Sequence, residues 1–364
     1  MNLKFEKFER KYNFSIPDSY RILMTDMGDE YMIGNCEFFP VDDFINNNLR
    51  LGGAMEAGLF PFGCLGNGDC FCFLKYGENP GEYYVVLWLS ETYNYVVLNS
   101  TFDNFLYNCV IQEYKTLLYP DEYMAEGTRD EIEESTNRIN SICSLFDFDL
   151  EGIEGAKDEK SLDGLLISRD PFAIQLVCGA GSSMLSNGDA AGAAYLRKAM
   201  LFCPEYTAPY YILGKYLLGR DRQNALRLLF QGAMAPLAAS GYSYWEEDNI
   251  GIPFNVMDEI FDILMHNEDN LQDEYRGSTF MNFIRMGQPY NDSFRFILAE
   301  KYIKDGDFAS ALRELNNVLL LTKDLKLKIE ILEMLIPVYE RAGYVWASGV
   351  CRRDIKYIKG LKQL

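Results

Sequence analysis

The sequence predicts an α+β N-terminal domain, with a mostly antiparallel sheet and flanking helices, followed by an all-α helical-repeat domain. Three observations predict it. The first third is rich in aromatic, glycine and β-branched residues, and its short apolar runs are separated by turn residues. Composition shifts at Tyr119-Pro120-Asp121. Beyond about residue 170, apolar and small residues recur at a fixed interval. The implied division is an α+β domain over 1–118, a linker with a helix over 119–168, and a helical domain over 169–364.

Two short helices open the chain. Residues 3–12 place Phe5, Phe8 and Tyr12 on one face. Ser15-Ile16-Pro17-Asp18 then reads as a helix start, with a hydroxyl cap, an early proline and an early acid. The second helix carries Tyr20, Ile22, Leu23 and Met27, and Gly28 stops it. Strands are predicted at 37–41, 59–63, 70–74, 83–89 and 95–98. Gly66-Asn67-Gly68-Asp69 turns the second into the third, and residues 90–94 join the last two as a hairpin. Asn99-Ser100-Thr101 caps a helix holding Phe102, Phe105, Leu106 and Val110. Residues 132–146 have helical spacing, whereas 149–163, acidic and with two glycines, reads as a loop.

The remainder reads as tetratricopeptide-like helical hairpins. At a shift of 34 residues Leu176, Ala180, Leu196 and Ala199 fall on Tyr210, Gly214, Phe230 and Ala233. Small residues let antiparallel helices approach closely, and stacked units bury what no single hairpin can. Tyr302 and Gly306 return as Tyr339 and Gly343 at a shift of 37. Residues 237–293 interrupt the pattern, with a helix predicted at 256–265.

Charge narrows the partners. The 364 residues carry 54 acids against 34 Lys and Arg, a formal net charge of -20. Nucleic acid and anionic membranes are disfavoured, and a basic protein is the electrostatically suited partner. Residues 1–20 carry charges throughout, and no run of about 18 apolar residues occurs, so neither a secretory leader nor a membrane span is expected. Nine scattered cysteines fit reduced thiols in a cytoplasm rather than a disulfide framework.

Four segments at matching spacing resemble the SUKH superfamily. They are Ile16-Pro17-Asp18-Ser19-Tyr20; Leu59-Phe60-Pro61-Phe62-Gly63; Gly66-Asn67-Gly68-Asp69 before a strand; and Val86-Leu87-Trp88 with Ser100-Thr101-Phe102-Asp103-Asn104-Phe105-Leu106. The resemblance covers about residues 1–115. A glycine pair that ends the second helix in that family is here Gly28 followed by Asp29. The superfamily includes a yeast cell-wall-synthesis regulator family and many bacterial immunity proteins. The resemblance implies an α+β binding module that neutralises an intracellular toxin by direct contact, and it brings no catalytic motif. A cytoplasmic scaffold whose repeats hold a protein or peptide is the alternative.

No catalytic, cofactor-binding or metal-binding residue is assigned. His266 is the single histidine and has no partner set. Cys64, Cys70 and Cys72 lack the paired spacing of a zinc site and read as packed thiols, Cys70 and Cys72 on one strand face with Phe71 and Phe73 on the other. Gly66-Asn67-Gly68-Asp69 lacks the lysine of a phosphate loop and the spaced acids of a calcium loop. Adjacent acids such as Asp42-Asp43 and Glu246-Glu247 are expected by chance among 54, and Asp42 suits a helix N-terminus. The aromatic run 242–245 reads as packed between helices. Asp69, Tyr83, Trp88 and Tyr93 are the expected partner-contact residues, though Trp88 also suits the core.

Overall fold

The computed structural model describes residues 2–28, 31–46, 50, 52–75, 83–119, 129–240 and 255–361. Its N-terminal part is α+β. Helices α1 (Asn2–Tyr12) and α2 (Asp18–Asp26) bury Phe5, Phe8, Tyr12, Tyr20 and Leu23. Ser15 is not the cap expected. Pro17 holds the N-cap position without a side-chain bond, and the Ser15 amide donates to the Tyr83 hydroxyl at 2.9 Å.

Six strands form one antiparallel sheet in sequence order: β1 (Met32–Ile33), β2 (Cys36–Phe38), β3 (Leu59–Cys64), β4 (Cys70–Leu74), β5 (Tyr84–Trp88) and β6 (Tyr95–Asn99). The strand expected over 37–41 ends at Phe38. Pro40 has no amide for the ladder, and Val41 begins α3 (Val41–Asn46), with Asp42 and Asp43 in its first turn where the dipole favours them. A register shift lies between Pro61 and Gly63. A Cβ on Gly63 would stand 2.7 Å from Cys36 Sγ and 2.9 Å from the Glu37 carbonyl, so the bulge needs glycine.

Alternation sorts the strand residues onto two buried faces. Phe60, Phe62, Phe71, Phe73, Val85 and Leu87 face α1, α2, α3 and α4 (Phe102–Leu118), whose N-cap Thr101 accepts from the Asn104 amide at 3.2 Å. Leu59, Cys70, Cys72, Leu74, Val86, Trp88, Tyr95 and Val97 share a second core with helices of the C-terminal half. Helices therefore cover both sides of the sheet.

Residues 149–163 are helical rather than a loop. After α5 (Arg129–Phe146), Asp149 caps α6 (Leu150–Gly155) by accepting from the Gly152 amide at 2.9 Å. Asp158 caps α7 (Glu159–Arg169) through the Ser161 amide at 2.8 Å. The acids that read as loop are helix caps. Ile153, Leu162 and Leu166 are buried in the first core. Asp170, at the end of α7, accepts from the Ser100 amide at 2.9 Å and the Ser100 hydroxyl at 2.7 Å, which fixes this segment to the β6–α4 junction.

The C-terminal half is a run of helices. Helices α8 (Ile174–Ser186) and α9 (Gly192–Phe202) pack as one hairpin, and α10 (Thr207–Leu217) and α11 (Arg222–Ala233) as the next. Gly181 meets Gly192 and Leu196, and Gly214 meets Ala225 and Leu229. These equivalents are 33 residues apart, not the 34 read from the sequence. Gly181, rather than Ala180, makes the crossing, while Ala199 and Ala233 are buried in the second core. Helices α12 (Asn255–His266), α13 (Asp273–Arg276) and α14 (Thr279–Arg285) follow.

Two further hairpins pair α15 (Asp292–Asp305) with α16 (Phe308–Leu321) and α17 (Leu325–Arg341) with α18 (Val345–Leu361). Gly306 and Gly343, at φ +77° and +90°, end the first helix of each. Helix α18 returns to pack on α1. There Arg50 and Asp354 form a buried ion pair, Nη2 to Oδ2 3.0 Å and Nε to Oδ2 3.1 Å. Arg50 also donates to the carbonyls of Met55, Glu56 (2.6 Å) and Leu59 (2.9 Å), and Lys328 Nζ donates to the Gly53 carbonyl at 2.6 Å.

Candidate functional site

The glycine-rich turn lies at one end of the sheet, with Gly66, Asn67 and Gly68 exposed. Gly66 and Gly68 take φ of +81° and +97°, which favours glycine at both. Asn67 accepts from the Asp69 amide at 2.9 Å and donates to the Asp69 carboxylate at 3.0 Å. The other oxygen of Asp69 accepts from the Ser90 amide at 2.7 Å and the Ser90 hydroxyl at 3.0 Å. The carboxylate thus ties the β3–β4 turn to the β5–β6 turn.

Trp88 and Tyr93 lie at the same end, stacked at 5.7 Å and 7°. Trp88 is fully buried, and Tyr93, at φ +62°, lies between it and Lys328, whose Nζ is 5.7 Å from its ring centroid. Asn94 donates to the Ser240 hydroxyl at 3.0 Å, so a short turn of the helical half (Leu237–Ser240) clasps the hairpin. Tyr83 stands apart at the far end of β5, 4% exposed and stacked on Phe14 at 4.2 Å. The structure therefore brings Asp69, Trp88 and Tyr93 together and separates Tyr83. Asp69 and Tyr93 keep part of their surface, whereas Tyr83 and Trp88 are buried within the chain.

Burial pushes the thiols of this region up. Cys70 rises to about 12, Cys72 goes well above its ordinary value, and Cys64 is also raised. A thiol that reacts fast at neutral pH needs the reverse shift. His266 is exposed, its Nδ1 2.7 Å from the Asp262 carbonyl of its own helix. Among the described residues no group of three or more His, Cys, Asp or Glu is arranged to hold a metal ion. The acidic pair Glu246-Glu247, the aromatic run 242–245 and the boundary residues 120–121 lie outside the described residues.

Two surfaces beyond the turn are available for contacts. On α5, Asp130, Glu131, Glu133 and Glu134 are exposed. Glu151, Glu154, Asp158 and Glu159 continue the acidic surface over α6 and α7, with Lys157 and Lys160 as the bases among them. Between α8 and α10, Ser182, Leu185, Ser186, Tyr211, Ile212, Lys215 and Tyr216 line a groove of about 280 Å³. Lys215 Nζ pairs with Glu259 of α12 at 2.8 Å.

The joint around Arg50 could not be read from the sequence, because its ion pair spans 304 positions. Glu56 lies beside it. Part of its side chain meets solvent, yet its carboxyl is packed deep enough that burial pushes it up to about 7, with the Glu205 carboxylate adding and the Arg50 guanidinium opposing.

The sheet, α1–α3 and the turn at its end lie in one segment that a family model matches. Residues 3–108 match the model of the SMI1 / KNR4 family (SUKH-1). The SUKH-1 segment takes in α1–α3 and all six strands and ends inside α4. The helices after α4 lie outside it, and among them are those that cover its second face. No curated protein and no solved structure matches the chain. Among the described residues no helix is long and apolar enough to cross a membrane.

Proposed function

We propose that the protein is a non-catalytic binding protein that neutralises an intracellular toxin by direct contact. The SUKH-1 match over residues 3–108 carries this reading, because SUKH families in general include toxin-immunity proteins. The acidic helices α5–α7 and the net charge of -20 suit a basic toxin domain. Opposite fields steer encounter, and a basic partner meets this surface without like-charge repulsion. The exposed 66–68 turn, with Asp69 behind it and Tyr93 beside it, is the part of the SUKH-1 segment proposed to reach the partner.

The test is co-expression with the products of neighbouring genes, followed by pull-down and growth rescue. Rescue from one toxin, with a 1:1 complex, is the expected result. The association rate should fall as salt rises, because the screening length shrinks from ~10 Å at 0.1 M to ~3 Å at 1 M. The groove between α8 and α10 favours a second reading, a scaffold that holds a peptide on its helical half. If no neighbouring product is toxic and residues 170–364 alone capture the partner, that second reading replaces the first.

A further inference from the structure

Two thiols stand opposite one another beside the exposed turn. Cys64 and Cys70 are direct partners in the β3–β4 register. The Leu65 amide donates to the Asp69 carbonyl at 3.1 Å, which makes Leu65–Asp69 a hydrogen-bonded pair. Pair types alternate along an antiparallel ladder, so Cys64–Cys70 is of the non-hydrogen-bonded type, where Cα atoms approach to about 4.5 Å. Both side chains project from the same face. A disulfide spans Cα separations of about 4.4–6.8 Å, and this pair falls within that range.

The neighbouring thiols are placed less well. Cys72 shares the face but is the diagonal neighbour of Cys64, at about 7–8 Å. Cys36 belongs to the first core, and its Sγ lies under Gly63 on the other side. Access is graded too. Glu37, Cys64, Cys70, Trp88 and Tyr95 form one cross-strand row. Glu37 is exposed, Cys64 partly exposed, Cys70 8% and Trp88 0% exposed. A reagent from solvent meets Cys64 first and finds Cys70 directly behind it.

We propose that Cys64 and Cys70 are a reversible redox pair whose cross-strand disulfide locks the exposed turn of residues 65–69. The oxidant is a low-molecular-weight disulfide. Cys64, as thiolate, attacks one of its sulfurs, forming a mixed disulfide and releasing one small thiol. Cys70 gives its proton to solvent and attacks the Cys64 sulfur, releasing the second. Two protein sulfurs are oxidised and the two sulfurs of the reagent reduced. The opposite exchange, started by a small thiol at the partly exposed Cys64 sulfur, reopens the bond. Attack requires thiolate. Burial and the Glu37 carboxylate, whose Oε2 is 3.8 Å from Cys64 Sγ, hold that thiol above its usual range. Burial holds the Cys70 thiol higher still, at about 12, so closure is slow at neutral pH and quickens as pH rises.

The geometry supports this pair whether or not a toxin is the partner. The experiment incubates the full-length protein with glutathione disulfide and then cleaves before Asp69 under non-reducing conditions, which places the two thiols on separate peptides. Mass spectrometry is expected to find these peptides joined through Cys64 and Cys70 and separated by dithiothreitol. The link should be lost in C64S and in C70S and kept in C72S, and E37Q should speed the first step, the appearance of the mixed disulfide on Cys64. Glutathione left on Cys64 without closure, no modification at all, or a link that survives C70S would overturn the proposal. The wild-type peptide map decides the matter even if a serine variant folds poorly.

Discussion

Arg50 ties residues 50–59 to the C-terminal helix across 304 positions. Its guanidinium meets the Asp354 carboxylate with both groups buried, and its remaining donors reach the carbonyls of Met55, Glu56 and Leu59. Removing one member of such a pair strands the other charge in the interior. Asp354→Ala is expected to destabilise the protein by about 3–5 kcal/mol in urea denaturation. Arg50→Ala should cost at least as much, since it also takes the donor from the Met55 and Leu59 carbonyls and leaves the Glu56 carbonyl with the Leu59 amide alone. The double variant R50M/D354L should recover only part of the loss, because the Met55 and Leu59 carbonyls remain without the Arg50 donors. Full recovery would show that the ion pair, and not the carbonyl set, organises residues 50–59. None of this was legible in the sequence, where neither residue stands in a motif. Asp69 was legible as a turn residue through its glycine neighbours, but its bonds to Ser90 depend on the third dimension.

Elements were legible where local chemistry decides them. Strands β3 to β6 follow apolar runs bounded by turn residues, and α4 starts directly after the Asn99-Ser100-Thr101 run read as its cap. Helices α6 and α7 were not, because acids that cap a helix look like acids in a loop, and Gly152, Gly155 and Gly164 weaken the helical pattern. The hairpin crossings show the same limit. A 34-residue shift aligns similar side chains, but contact follows the backbone at 33. Glycine therefore has opposite values at different sites. A Cβ at Gly192 would stand 2.4 Å from the Gly181 carbonyl, so Gly192→Ala should destabilise by about 1–3 kcal/mol through overpacking. Gly349 in α18 is exposed, with nothing within 4 Å, so Gly349→Ala should stabilise by about 0.5–1 kcal/mol. Thermal melts of the two variants should move in opposite directions, and a shared direction would refute the assigned crossing.

At the scale of the whole molecule the SUKH-1 segment shares its second sheet face with the helical half. The strand sequences carried that signal. Cys70-Phe71-Cys72-Phe73-Leu74 and Tyr84-Val85-Val86-Leu87-Trp88 are nearly continuous apolar runs, as two-sided burial requires, whereas a sheet with one wet face alternates. A fragment of residues 1–118 would expose Leu59, Cys72, Val86, Trp88, Tyr95 and Val97 together. It is expected to bind hydrophobic dyes and self-associate on size-exclusion chromatography, with red-shifted emission from Trp88, its one tryptophan. A monomeric fragment with blue-shifted Trp88 emission would show that the segment closes its own face. The closure of the chain on itself also has a clock. Asp354 follows Arg50 by 304 positions. At ~5–20 residues per second, a ribosome delivers the counter-ion ~15–60 s after the arginine has been made. Through that interval the Arg50 charge has no counter-ion to be buried with, so the protein's dependence on cellular folding helpers should be greatest during its own synthesis.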